Sequence, residues 1–375
     1  MSNAKPIVFV ELSGYYYSNP SLNYCLKYLE NSNRTVYFVS TSSGQYDNII
    51  DLLILPKILF KLNFLILQFF RVNLVGFYLK RLLSRKIPFC SEFWIVDPEG
   101  LLLLLGSTLQ NYECWYFSYE MWFKDEISSR LAGLMSRKIN SVDYIISTDA
   151  VRERLLVNEF DLANKQKFCW PVFAPENQSR PELSKLVGLK RELNDFKVVV
   201  FIGSIENWTM APEIFGALSS LPENFKILVN SREKSKNIEK LIPVAFRPKF
   251  VINTIPLNNF LEVLSFLKLA DIGIAFYKPT FTKRVLGRNI EEMGYSSGKL
   301  STYLQAGLPV MTNVGGVFKQ DLLKYKSGVY VESPENISAA INEIDANYNI
   351  YREGSISHYN SVYKIPKWVG ERLLS

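Results

Sequence analysis

The chain has 375 residues, a formal net charge of +7 and 48% hydrophobic residues. These values exclude a disordered chain and leave room for two domains, each with its own core. Cys25, Cys90, Cys114 and Cys169 are far apart and His358 is the only histidine, which excludes a zinc site of cysteine and histidine and fits a reducing compartment. Residues 1–4 read as an expression remnant. Lys5–Val10 then reads as a first strand and not as a signal peptide.

In the first half, strands are predicted near Ile7–Glu11, Thr35–Ser40, Phe93–Val96, Cys114–Ser118 and Tyr144–Ser147, with helical patterns between several of them. The stretch from Leu52 to Lys86 stands apart. It carries Lys57, Lys61, Arg71, Lys80, Arg81, Arg85 and Lys86, no acidic residue, and many Leu, Ile and Phe. Such a basic, apolar, helix-length stretch suits attachment to an anionic membrane surface. It also suits core helices whose lysines snorkel. No uncharged apolar run reaches the roughly 20 residues of a membrane span, and no nucleic-acid motif accompanies the charge. Asp97-Pro-Glu-Gly100 separates a strand from the helix start LLLLLGSTL, and AVRERLLVNEF (150–160) reads as an amphipathic helix. FCWPVFAPE (168–176) then ends the half in an extended, proline-marked segment.

The second half repeats the rhythm. Strands are expected at Lys197–Gly203, Lys226–Asn230, Lys249–Asn253, Asp271–Tyr277 and Val310–Thr312. Helices are expected at PEIFGALSSL, LNNFLEVLSFLKLA, the segment after Lys299, and Ser338–Tyr348. Alternating strands and helices give an α/β class built of two doubly wound, Rossmann-like domains. The boundaries read as 5–177 for the first domain, 178–195 for a linker, and 196–350 for the second. A helical segment at 351–375 is expected to have the option of crossing back to the first domain. Ligands of such sheets bind at the carboxyl ends of strands, so a cleft between facing domains is the expected site.

Two motifs carry chemistry. Gly203 follows a buried strand, where a glycine lets a ligand approach the backbone or simply makes a turn. Ser296, Ser297 and Gly298 lead into a helix at Lys299. Free amides at a helix start, with two hydroxyls and a lysine, suit a phosphate, while plain serine capping is the competing reading. Gly307-Leu-Pro309-Val310 closes that helix and stiffens the approach to the next strand.

The order LADIGIAFYKP, loop, GYSSGKLSTYLQAGLPVMTN, strand resembles the C-terminal domain of GT-B glycosyltransferases. It is most similar to the retaining family-4-like group, matching at Ala270-Asp271-Ile272, Lys299-Leu300, Tyr303, Gly307, Pro309 and Val310. VINTIPLNNFLEVLSFL, with Ile255 and Pro256, resembles that group's base-binding loop and helix. FKVVVFIGSI, with Gly203 and Ser204, resembles its first strand and glycine loop. VDYIISTDAVRERLL followed by FCWPVFAPE resembles the last elements of its first domain.

The resemblance implies a nucleotide-diphosphate-sugar donor in the second domain and a glycan or lipid-linked acceptor in the first. It also implies stereochemical retention and a role in surface polysaccharide or glycolipid synthesis. Two positions depart from it: Gly294 and Thr302 occupy the places of the group's paired glutamates. Glu292, beside Glu291, is then expected at the donor sugar, and Thr302 at a ribose hydroxyl. The group's basic residue after the glycine loop is also absent, which leaves Arg232, Lys278, Lys283, Arg284 and Arg288 as phosphate partners.

In the first domain Tyr119-Glu120 resembles the acidic position at the cleft, with Glu120 as a general base or acceptor-orienting group or as a solvated helix-start residue. Gly14 and Tyr15, with Tyr16 and Tyr17, follow the first strand where an acceptor would stack, or form an aromatic core. Asp97 reads as a turn residue near the acceptor. No Asp-x-Asp motif occurs, so neither a metal nor another cofactor is expected, and His358 is expected to pack. The chain thus reads as a cytoplasmic glycosyltransferase, with peripheral attachment at the inner face of a membrane left open. A nucleotide-sugar epimerase or hydrolase of the same fold, or a non-catalytic glycan-binding member, are the rivals.

Overall fold

The computed structural model describes residues 5–13, 19–32, 34–42, 49–70, 72–88, 91–104, 106–173, 183–257, 259–281 and 285–373. It forms two compact units. Unit 1 is Met1–Val172 with Phe281–Asn289 and Ile365–Ser375, and unit 2 is Phe173–Thr280 with Ile290–Lys364.

Unit 1 is built on a parallel sheet of β1 (Ile7–Glu11), β2 (Val36–Ser40), β3 (Ile49–Ile54), β4 (Glu92–Val96), β5 (Glu113–Ser118), β6 (Tyr144–Ser147) and β7 (Gln166–Cys169). Its order is β3-β2-β1-β4-β5-β6-β7. The central strands are continuous Val, Ile, Phe and Trp runs buried on both faces, as parallel strands must be when helices cover them. The helices are α1 (Pro20–Glu30), α2 (Lys57–Phe70), α3 (Leu74–Lys86), α4 (Asp97–Leu103), α5 (Gly106–Leu109), α6 (Ser129–Ile139) and α7 (Ala150–Phe160). Asn19, Ser128 and Asp149 cap α1, α6 and α7 through their side chains. Lys138 of α6 is buried and donates to the Leu101, Leu102 and Leu104 carbonyls at the end of α4, satisfying helix-end acceptors that lack partners of their own.

Unit 2 carries β8 (Lys197–Ile202), β9 (Phe225–Asn230), β10 (Phe250–Ile252), β11 (Ile272–Ala275), β12 (Val310–Thr312) and β13 (Gly328–Tyr330), in the order β10-β9-β8-β11-β12-β13. Its helices are α8 (Val187–Leu193), α9 (Ala211–Leu218), α10 (Ser235–Glu239), α11 (Phe260–Leu267), α12 (Arg288–Glu291, begun in unit 1), α13 (Gly298–Ala306), α14 (Gly316–Tyr325), α15 (Ile337–Ala346) and α16 (Tyr348–Val362). The last helix, α17 (Lys367–Leu373), belongs to unit 1. There Trp368 stacks on Trp115 at 5.8 Å and meets Trp170 edge-on at 5.7 Å.

Both sheets are doubly wound. Their order reverses between β1 and β4 in unit 1 and between β8 and β11 in unit 2, where such sheets open a crevice at their carboxyl ends.

Candidate active site

In unit 2 the crevice is lined from both sides of the reversal. Gly203 directly follows β8 with φ +112, a conformation that disfavours any side chain. A Cβ there would lie 2.8 Å from Nζ of Lys299. The ammonium group is also near the ring centroids of Phe201 (5.3 Å), Trp208 (5.7 Å) and Tyr277 (5.5 Å). No carboxylate pairs with it among the described residues. Burial in this aromatic cage lowers the Lys299 pKa to about 8.

The start of α13 is fixed by packing. The Tyr303 hydroxyl accepts from the Ile202 amide at 3.0 Å and lies within reach of the Val200 and Ile274 carbonyls. One side chain therefore ties α13 to β8 and β11, immediately before Gly203. Ser297 is the N-cap: its Oγ accepts from the Leu300 amide and shares a 2.7 Å hydrogen bond with the Tyr277 hydroxyl. The amides of Gly298 and Lys299 have no acceptor among the described residues, as expected of the first helical positions. The Lys299 ammonium group thus stands beside Gly203, and the same helix start carries two amides without an acceptor among the described residues.

Other expected donor contacts are placed differently. Ile255 has its N–H and its C=O engaged by the Asn253 side chain, and the Pro256 carbonyl accepts from Lys185. Leu300 is core. Thr302, expected at a ribose, is buried and donates its hydroxyl hydrogen to the Gly298 carbonyl. Ser204, Ser296 and Glu292 are half-buried, while Arg232 and Lys278 are exposed.

Arg288, expected at the phosphates, belongs to unit 1. It lies 3.2 Å from Asp125 and 4.0 Å from Glu159, and its guanidinium sits 4.0 Å above the Phe123 ring. These carboxylates give it a structural ion-pair role, in place of the expected phosphate contact. Lys283, Arg284, Gly14, Tyr15, Tyr16 and Tyr17 lie outside the described residues.

In unit 1 four carboxylates gather at the ends of β1, β4 and β5. Glu11 ends β1 and is buried, accepting from the Ser13 amide and hydroxyl. Asp97 follows β4 with φ 56, a left-handed conformation that aspartate tolerates better than most residues. Its Oδ1 accepts from the amides of Tyr119 (2.9 Å) and Glu120 (2.8 Å). Burial, and then the charges of Glu120, Glu99 and Glu11, hold the Asp97 carboxyl well above the ordinary range, although the Glu120 amide bond pulls the other way.

Glu120 itself keeps contact with water. The protein around its carboxyl raises its pKa, opposed by Arg152 and by a hydrogen bond from Asn289. Tyr119, expected beside the acceptor, is instead core. Its ring is buried against Phe117, and its carbonyl accepts from Arg152.

The residues that sequence reasoning missed complete both sites. Arg152 is fully buried in α7 and reaches Asn289 Oδ1 at 2.7 Å. Its signal was faint: an arginine three residues after the capping Asp149 reads as surface. Asn289 gave no signal, because the stretch around it reads as a loop of mixed charge, although Asn289 lies in α12. Trp208 and Tyr277 stack on each other at 5.9 Å. Tyr277 could have been noticed as the aromatic that follows β11.

No family model matches the chain, and no curated protein matches its sequence. Solved structures do match over nearly its whole length. Sucrose-phosphate synthase from Thermosynechococcus elongatus is 12% identical with a TM-score of 0.66, covering 99% of this chain and 96% of that one. WaaG, a glycosyltransferase involved in lipopolysaccharide biosynthesis, is 11% identical with a TM-score of 0.65, covering 97% and 96%. HepE from Anabaena, solved with UDP-glucose, is 12% identical with a TM-score of 0.64, covering 98% and 95%. At these identities the likeness is one of fold: the chain has the GT-B glycosyltransferase fold of two Rossmann-like domains.

Proposed function

We propose that the protein is a glycosyltransferase that moves a sugar from a nucleotide-diphosphate donor to a glycan or lipid-linked acceptor. The observation that carries this reading is the Lys299 ammonium, caged by three aromatic rings beside Gly203, on a helix whose first amides have no acceptor among the described residues. A half-buried cation among rings, without a carboxylate partner among the described residues, is costly, and a diphosphate would supply the missing anion. HepE's complex with UDP-glucose is consistent with this donor class.

In the proposed reaction an acceptor hydroxyl oxygen bonds to the donor's anomeric carbon as the bond from that carbon to the diphosphate oxygen breaks. The electron pair leaves with the diphosphate, where Lys299 and the helix start stabilise the developing charge. The acceptor proton goes to a carboxylate of unit 1, for which we propose Glu120, whose pKa the surrounding protein raises above the ordinary carboxylate value. We read the transfer as metal-independent, since Lys299 and the amides provide the balancing charge, and as retaining, with the acceptor oxygen entering on the same face from which the diphosphate leaves. Surface polysaccharide or glycolipid synthesis is the pathway class that fits, at the cytoplasmic side of a membrane.

A nucleotide-binding protein without transfer is the second reading. It is favoured by Thr302, whose hydroxyl turns back to the Gly298 carbonyl. Incubating the protein with nucleotide sugars and candidate acceptors, and measuring released nucleoside diphosphate, separates the two. Acceptor-dependent release supports the enzyme, and binding without release supports the alternative.

A further inference from the structure

The α2–α3 pair of unit 1 is apolar on both sides: Leu67, Leu79 and Leu83 join the core, while large apolar side chains also face outward. Only Asn63 and Leu67 of α2 are buried, while Ile58, Leu62, Phe69, Phe70, Leu74 and Phe77 are between 52% and 76% exposed. A helix that turns this many large apolar side chains to water is not explained by the core it covers.

The inside of the pair is fixed by a buried polar pair, Asn63 and Asn73, set among core leucines. Asn63 donates to Asn73 Oδ1 at 3.1 Å and accepts from the Val75 amide at 3.0 Å. Asn73 in turn donates to the Leu102 and Leu103 carbonyls of unit 1 and accepts from the Gly76 amide. A Cβ on Gly76 would come within 2.7 Å of the Leu103 carbonyl, so the close approach needs glycine. Arg130 caps the end of α2 at the Gln68 and Phe69 carbonyls. Phe64 meets Trp122 edge-on at 5.9 Å, two residues from Glu120. The 113° bend between the two helices is therefore held by specific bonds, and the apolar outer face is held with it.

Charge decides what covers that face. Lys57, Lys61, Lys80, Arg81, Arg85 and Lys86 are exposed on the same pair, and residues 52–86 contain no acidic side chain. A protein partner or a second copy would have to bring the acidic groups to match. An anionic bilayer offers both the negative surface and the apolar depth. Among the described residues no single helix is long and apolar enough to cross a membrane, although the bent pair together passes on length and composition.

We propose that α2 and α3 dock unit 1 peripherally onto an anionic lipid surface, with Leu62, Phe69 and Phe70 entering the interface and the basic residues at the headgroups. The inference stands apart from the transferase reading, because lipid binding is measured without any nucleotide sugar.

The test is co-sedimentation of the full chain with phosphatidylcholine vesicles, with and without 30 mol% phosphatidylglycerol (about one lipid in three, enough for a marked surface potential). Binding to the anionic vesicles at low salt, with release at high salt, supports the proposal. The quadruple variant Lys80→Gln, Arg81→Gln, Arg85→Gln, Lys86→Gln is expected to weaken it by about a hundredfold or more, at about fivefold per charge. Leu62→Ser with Phe69→Ser and Phe70→Ser removes only exposed side chains, and is expected to abolish binding while circular dichroism and the unfolding midpoint are kept.

Indifference to anionic vesicles would overturn the proposal. So would a wild-type dimer in sedimentation velocity that the serine variant converts to monomer without any lipid binding, since the face would then be a self-interface. Binding that resists high salt and alkaline extraction would overturn peripheral docking in favour of insertion of the bent pair.

Discussion

Asn289 hydrogen-bonds the Glu120 carboxylate through its side-chain amide, across 169 residues of sequence. The same side chain donates to the Val285 carbonyl and accepts from Arg152 and from the Met121 amide, so its full hydrogen-bonding capacity is used. The Phe281–Asn289 segment belongs to unit 1, and this amide joins it to the carboxylate proposed as base.

Replacing Asn289 tests that link. The Asn289 bond lowers the Glu120 pKa, so Asn289→Ala should raise it and move the acid limb of the transfer pH profile upward. It also takes an acceptor from the Met121 amide and from Arg152, costing about 1–3 kcal/mol of stability. Asn289→Asp keeps both acceptor bonds but sets a second carboxyl beside Glu120, so it should fold better than the alanine variant and shift the profile at least as far. An unmoved profile in both variants would separate Asn289 from the chemistry.

Glu120→Gln should leave nucleotide affinity unchanged and slow transfer by about a hundredfold, the low end for loss of a general base. Single-turnover rates at saturating donor read this directly. A wild-type rate would make Glu120 a solvated residue at the mouth of the site.

His358 provides a pH test that is independent of function. It is fully buried, shares a 2.8 Å hydrogen bond with Ser327 and stacks on Tyr325 at 5.0 Å. Burial lowers its pKa from 6.5 to about 4. The unfolded chain therefore binds more protons than the folded one between those values. Its contribution to stability is complete above about pH 6.5 and is lost as pH falls toward 4, by up to about 3 kcal/mol. Urea midpoints from pH 7 to 4 should show this slope, and His358→Gln should flatten it.

Lys299 makes donor binding pH-dependent. With a pKa near 8 in the empty site, the ammonium form is favoured by a bound diphosphate. Affinity should fall as pH rises above 8, and binding at pH 8 should take up a fraction of a proton. Calorimetry in buffers of different ionisation enthalpy measures that uptake. Zero uptake would mean the lysine does not meet the phosphates.

Much of this architecture was legible in the sequence, because buried parallel strands such as Ile7–Glu11 and Lys197–Ile202 read as apolar runs ended by polar residues or glycine. Three strands were not. β3 lies at a sheet edge and runs almost directly into the apolar α2, so an unbroken apolar stretch concealed a strand-to-helix change. β7 and β13 are short edge strands whose pairing, and not their composition, defines them. In unit 2, the glycine after β8 and the serine cap and lysine that open α13 follow from local pattern. Asn289 and Arg152 do not, since their contacts join distant segments, and the Arg288 ion pairs with Asp125 and Glu159 bridge more than a hundred residues of sequence.

The most direct measurement is calorimetric titration of a panel of nucleotide-diphosphate sugars into the wild-type protein and into Lys299→Met, which keeps the alkyl packing against Gly203 and removes the charge. At pH 7 one donor should bind the wild type, and the variant should bind it about tenfold or more weakly, the value of one charged contact. Equal affinity in the two proteins, or no binding by the wild type to any member of the panel, would contradict the account of unit 2 as a nucleotide-sugar site.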